Sequence, residues 1–132
     1  MSSFSELLAA AAATVGDNAI DPLKAKEMMD ANPDMLILDV QDPTADFKLT
    51  IPNSYNASLG TLGFKADVAM TDFLDKKITE YPKDKNVMVT CGIGGQAMLG
   101  AKLMIDYGWK NTFVCKGGNA AWKEAKCPLC AE

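Results

Sequence analysis

The sequence predicts an α/β fold built in layers, with a mostly parallel central sheet and helices on both faces. Three observations carry that expectation. Short aliphatic runs alternate with helix-like stretches over short connections, the arrangement that generates parallel strands joined by crossover helices. The two strongest runs, MLILDV and NVMVT, lack a clean apolar/polar alternation, as suits strands covered on both sides. Asp39, Cys91 and Cys115, three residues able to do chemistry, all stand at the carboxyl ends of predicted strands, where open sheets of this class gather their ligands.

Taken in order, Ser3 and Glu6 have the spacing of a capping box and Gly16 is a C-terminal stop, so residues 4–15 are expected as an alanine-rich helix. Residues 1–18 then form an N-terminal helical extension to a domain spanning 19–132. Asp21 and Pro22 read as N-cap and first helical position of a helix reaching about Ala31, where NPD breaks it. The strand MLILDV follows, then a polar loop, a weaker strand at SYNAS and a helix over 70–80. NVMVT is the second buried strand; a helix over 95–107 is closed by Gly108. The strand NTFVC and the helix NAAWKEAK complete the chain before CPLCAE.

Size and composition are those of one globular domain. With 132 residues, 48% of them hydrophobic and 23% charged, the chain is long enough for a core of its own. A net charge of -4 with no Lys cluster argues against nucleic acid or an anionic membrane as partner. The amino-terminal stretch has no positive leader region and no span long enough for a bilayer, so a cytoplasmic location is expected. Histidine is absent, and the thirteen lysines account for the whole Lys+Arg count, so arginine is absent as well. Ser-His-Asp and Cys-His hydrolases, His-ligated zinc and Arg-based phosphate clamps are thereby excluded within this chain.

The informative stretch is CGIGGQA, residues 91–97, between a strand and a helix. Glycines let such a turn fold free N–H groups inward as an anion-binding nest, and Cys91 is expected at its rim, reachable from solvent. That setting stabilises a thiolate, or a persulfide anion on the same sulfur, without a cationic side chain. Other readings of these residues compete. GIGGQA fits a dinucleotide fingerprint, but the acidic ribose ligand about 20 residues on is missing. A P-loop would need Lys and Ser or Thr after its last glycine, and a cysteine phosphatase would need Arg. A small buried cysteine before a glycine turn is the plain structural alternative.

The longer motifs LILDVQDPTADF, IPNSYNASLGTL, VTCGIGG and GWKNTFVCKGGNAAWKEAKCP resemble, in order and at matching spacing, those of the single-domain rhodaneses, the sulfurtransferase family. The resemblance runs from about Ile20 to Pro128 and implies the rhodanese-like three-layer fold. It implies that Cys91 accepts sulfane sulfur and that the amides of Gly92, Ile93, Gly94, Gly95 and Gln96 form its cradle. The six-residue loop from Cys91 through Gln96 is similar to the sulfurtransferase form, one residue shorter than in related phosphatases. Asp39 is expected to brace neighbouring loops, and Lys116 is either a solvated surface residue or a source of positive charge at the pocket mouth. Cys115 is either a small core residue or a resolving thiol. The chain departs from the family pattern at Gly92 and Gln96, where relatives often carry Arg, at Gln41 in place of another Arg, and at Thr50 in place of His. Without those cations, weak activity on thiosulfate is expected, and polysulfide or persulfide donors gain ground.

The implied activity is ping-pong transfer of sulfur through Cys91, from a small sulfur compound or a protein persulfide, with no metal or organic cofactor. A non-catalytic binding module and a thiol redox or sulfide sensor are the rival classes. Cys127 and Cys130 have the spacing of a redox pair but trail a helix end, where the usual activation of the first thiol is missing.

Overall fold

A computed structural model describes residues 3–43, 49–92 and 94–131. Helix α1 spans Phe4–Val15; the Ser3 hydroxyl accepts from the Glu6 N–H at 3.2 Å, and Gly16, with φ 55°, ends the helix. A single turn leads into strand β1 (Ala19–Ile20), and α2 (Pro22–Ala31) opens on its proline, as expected. Strand β2 (Leu36–Asp39) is followed by the short strands β3 (Leu49–Thr50) and β4 (Tyr55–Asn56), then by helices α3 (Leu59–Ala66) and α4 (Lys76–Thr79). Strand β5 (Val87–Thr90), helix α5 (Gly95–Asp106), strand β6 (Thr112–Cys115), helix α6 (Gly118–Glu124) and strand β7 (Cys130–Ala131) complete the order.

Five strands form a parallel sheet in the order β1-β6-β5-β2-β4. Its register sets Asp39 beside Thr90 and Val89 beside Val114, so the ends of β2, β5 and β6 meet at one edge of the sheet. Strands β3 and β7 make a separate antiparallel ribbon that pairs Thr50 with Cys130.

Side-chain alternation divides the core in two. Leu36, Leu38, Val87, Val89 and Val114 join Val15, Leu62, Ala101 and Met104 from α1, α3 and α5 on one face. Ile37, Met88 and Cys115 join Ala25, Met29 and Trp122 from α2 and α6 on the other. The fold is therefore the expected α/β arrangement with helices on both sides. Among the described residues no helix is long and apolar enough to cross a membrane.

The segment between the two buried strands differs from expectation. The helix expected over 70–80 is reduced to Lys76–Thr79, because Asp75 caps it: its carboxylate accepts from the Lys77 N–H at 2.9 Å. Helix α3 was not expected at all. Its LGTLGFKA sequence holds two glycines and little intrinsic helicity; burial of Leu62 and Ala66 against the core supplies what propensity does not.

A candidate active site at Cys91

Strand β5 delivers Cys91 to the carboxyl edge of the sheet, and the chain turns there into α5. Gly94 makes that turn with φ 110°, a left-handed conformation that favours glycine, and serves as N-cap of the helix. The turn aims two backbone donors at the sulfur: the N–H of Gly94 lies 3.0 Å and that of Ala97 3.3 Å from Cys91 Sγ. Both are among the first N–H groups of α5, which have no partner inside the helix.

The arrangement corrects the expected cradle in two respects. Cys91 is 1% exposed and packs with the α5 side of the core, so its sulfur sits on the floor of the turn rather than at a solvent-facing rim. The cause is the alternation that continues from β5: Val87, Val89 and Cys91 all point to the same covered face. The second donor is Ala97, one residue past the predicted loop. Counting the third residue from the cap would have found it, since that N–H is one of the unpaired donors of any helix start. Gly92 and Gln96 are half-buried and Gly95 is exposed, while Ile93 lies outside the described residues.

Asp39 is buried at the end of β2 and ties the surrounding backbone together. Its carboxyl accepts from the Gln41 N–H at 3.1 Å, the Gln41 side-chain amide at 3.0 Å and the Asn119 amide at 3.1 Å. Asn56 donates to the Asp39 and Gln41 carbonyls at 3.0 and 2.9 Å. Gln41 thus faces this carboxyl with an amide.

A second glycine turn, before α6, packs against the first. The Asn119 N–H donates to the Cys91 carbonyl at 2.7 Å and the Ala120 N–H to the Gly92 carbonyl at 3.0 Å. The approach leaves no room for a side chain at Gly118: a Cβ there would lie 2.4 Å from the Cys91 oxygen and 2.8 Å from that of Gly92. Asn119 and Gly118 went unnoticed in the sequence reading, although the GG pair before NAAW was a visible sign of a backbone contact.

Cys115 is not placed as a resolving thiol. It is 0% exposed and belongs to the α2–α6 side of the core, on the opposite face of the sheet from Cys91. Burial, reinforced by neighbouring Cys127 and Cys91, pushes its thiol up to about 12. Lys116 is exposed, and its backbone N–H is used to hold β1 through the Ile20 carbonyl at 2.8 Å. Cys127 is buried on the Cys115 side.

Comparison with known proteins gives the site its context. The model of the Rhodanese-like domain family matches residues 21–125. A search of curated proteins finds no match to the chain. Among solved structures, the chain is similar to a Rhodopseudomonas palustris protein of unknown function described as a possible tyrosine phosphatase. The two are 24% identical, with a TM-score of 0.83 over 98% of this chain and 95% of that one. It is also similar to the Wolinella succinogenes polysulfide-sulfur transferase homodimer, at 27% identity and a TM-score of 0.70 over 96% and 86% of the two chains. A human single-domain sulfurtransferase matches at 17% identity and a TM-score of 0.64, over 83% of this chain and 97% of that one. With the family model matching residues 21–125 of its 132, this chain belongs to the rhodanese-like domain family.

Proposed function

We propose that the protein is a sulfurtransferase that carries sulfane sulfur on Cys91. The observation that carries this reading is the pair of N–H groups, from Gly94 and Ala97, aimed at one cysteine sulfur. The two amide dipoles converge on one sulfur and would serve as donors to a persulfide held in the turn.

The exchange is redox-neutral. Cys91 thiolate attacks the outer sulfur of a donor R–S–SH; the new S–S bond forms as the donor's S–S bond breaks, and R–S⁻ leaves with the electron pair. An acceptor thiolate then attacks the outer sulfur of the Cys91 persulfide and regenerates the Cys91 thiolate. Absence of Arg and His disfavours thiosulfate, whose two charges call for fixed cations, and favours polysulfide and persulfide donors of lower charge. The same absence speaks against a phosphatase reading, because phosphate would meet no guanidinium.

Burial of Cys91 favours one rival, a binding module that does no sulfur chemistry. Intact-mass measurement after polysulfide treatment separates the two. A gain of one sulfur, about 32 Da, that is absent from Cys91→Ser supports transfer, while an unchanged mass refutes it and loss of two hydrogens points to a disulfide sensor. Sulfur uptake from thiosulfate is expected to be at least about tenfold slower than from polysulfide, for want of a charged clamp.

A further inference from the structure

We propose that Asn119 is a positioning residue for Cys91, holding the amide cradle in the orientation that suits an anionic sulfur. The catalytic part of this inference rests on the sulfurtransferase reading; the geometric part stands independently.

Asn119 reaches the site through both its backbone and its side chain. Its N–H holds the Cys91 carbonyl at 2.7 Å, and the next N–H, of Ala120, holds that of Gly92 at 3.0 Å. In a trans peptide the C=O and N–H point to opposite sides, so a pinned carbonyl fixes the direction of the whole unit. The Cys91 and Gly92 carbonyls are thereby held toward the start of α6. If either unit rotated, a carbonyl oxygen, negative at its tip, could face the place where a persulfide anion is to sit. The second glycine turn guards against that rotation.

The side chain fixes the turn itself. Asn119 is 8% exposed. Its Oδ1 accepts from the Thr90 hydroxyl at 2.8 Å and its Nδ2 donates to Asp39 Oδ2 at 3.1 Å. Thr90 ends β5 and Asp39 ends β2, adjacent strands in register. One amide group, with one donor and one acceptor face, therefore reads both strand ends and sets the height at which the α6 turn meets the Cys91 loop. An aspartate at 119 has the same shape but no donor for Asp39, and it would place two carboxyls face to face in a buried site.

The test compares Asn119→Asp, Asn119→Ala and the exchange D39N/N119D, each in the full chain. Sulfur uptake by Cys91 from polysulfide, followed by intact mass and corrected to the folded fraction, is expected to slow about tenfold in both single variants. The exchange restores one amide facing one carboxylate, with Gln41 free to turn its own amide over, and is expected to recover uptake to within about threefold of the wild type. A lowered melting temperature with unchanged corrected uptake, or no recovery in the exchange, overturns the positioning role. Amide exchange at Gly94 and Ala97, followed by NMR, supplies a readout without turnover: Asn119→Ala is expected to lose about tenfold in protection at both, and unchanged protection overturns the proposal. Should the wild type take up no sulfur, the sulfurtransferase reading fails while the exchange data still decide the geometric claim. Where the Asn119 variants do not fold, Thr90→Val removes one of the two side-chain contacts, and a smaller loss of protection at Gly94 and Ala97 is expected; no loss overturns the proposal.

Discussion

Replacing Gly118 with alanine adds a single methyl group at the point where the two glycine turns meet. Its cost has two parts. With φ 66° the position is left-handed, which costs a non-glycine residue about 1 kcal/mol. The methyl carbon would then lie 2.4 Å from the Cys91 oxygen, 2.8 Å from the Gly92 oxygen and 2.9 Å from the Gly92 carbonyl carbon. All three are backbone atoms, so no side-chain rotation relieves the overlap; the loop must move, at roughly 1–3 kcal/mol. The expected loss is therefore roughly 2–4 kcal/mol, a drop in melting temperature of about 10 °C for a chain of this size. Urea unfolding measures it, with the midpoint falling while the slope stays constant. Gly95→Ala is the control: among the described residues no atom beyond its own chain neighbours and helix backbone lies within 4 Å of a Cβ there and no left-handed φ is involved, so the change is expected to be neutral or stabilising by up to about 1 kcal/mol. A Gly118→Ala protein within about 0.5 kcal/mol of wild type would refute the claim that the two turns are in contact, since that is the range of ordinary surface substitutions.

Two further outcomes are expected. Because the Cys115 thiol is pushed up to about 12 from its ordinary 9.0, the folded state keeps a proton that the unfolded state gives up. This group therefore leaves stability unchanged below about pH 9 and erodes it between about 9 and 12, by at most ~1.4 kcal/mol per pH unit; Cys115→Val should flatten that part of the curve in denaturant titrations. Trp122 donates through Nε1 to the Pro128 carbonyl at 2.7 Å, so Trp122→Phe should cost about 1 kcal/mol and speed limited proteolysis after α6, read by gel and mass.

Elements announced by local chemistry were legible in the chain. The Ser3 and Glu6 pair, the Pro22 start and the unbroken aliphatic runs of β2 and β5 each carry their own signal, and the helices and strands fell where they indicated. Helix α3 and the two-residue strands β1, β3 and β7 were not legible, because their stability comes from partners distant in sequence: Ala19 pairs with Val114, and Thr50 with Cys130. The site divides in the same way. Cys91 and the glycine turn can be read from one strand–turn–helix, whereas the contact with Gly118 and Asn119 depends on the meeting of two loops separated by most of α5 and β6. Solvent access to the sulfur was misread because the glycines suggested an open turn, while strand alternation directs Cys91 inward.

The sheet keeps Cys91 and Cys115 in the cores on its two opposite faces. On the proposed sulfurtransferase reading, a sulfur atom loaded on the first would have no direct route of discharge through the second. Turnover in that proposal would wait on a visiting thiol, which leaves the choice of recipient to whatever molecule can reach the loaded side.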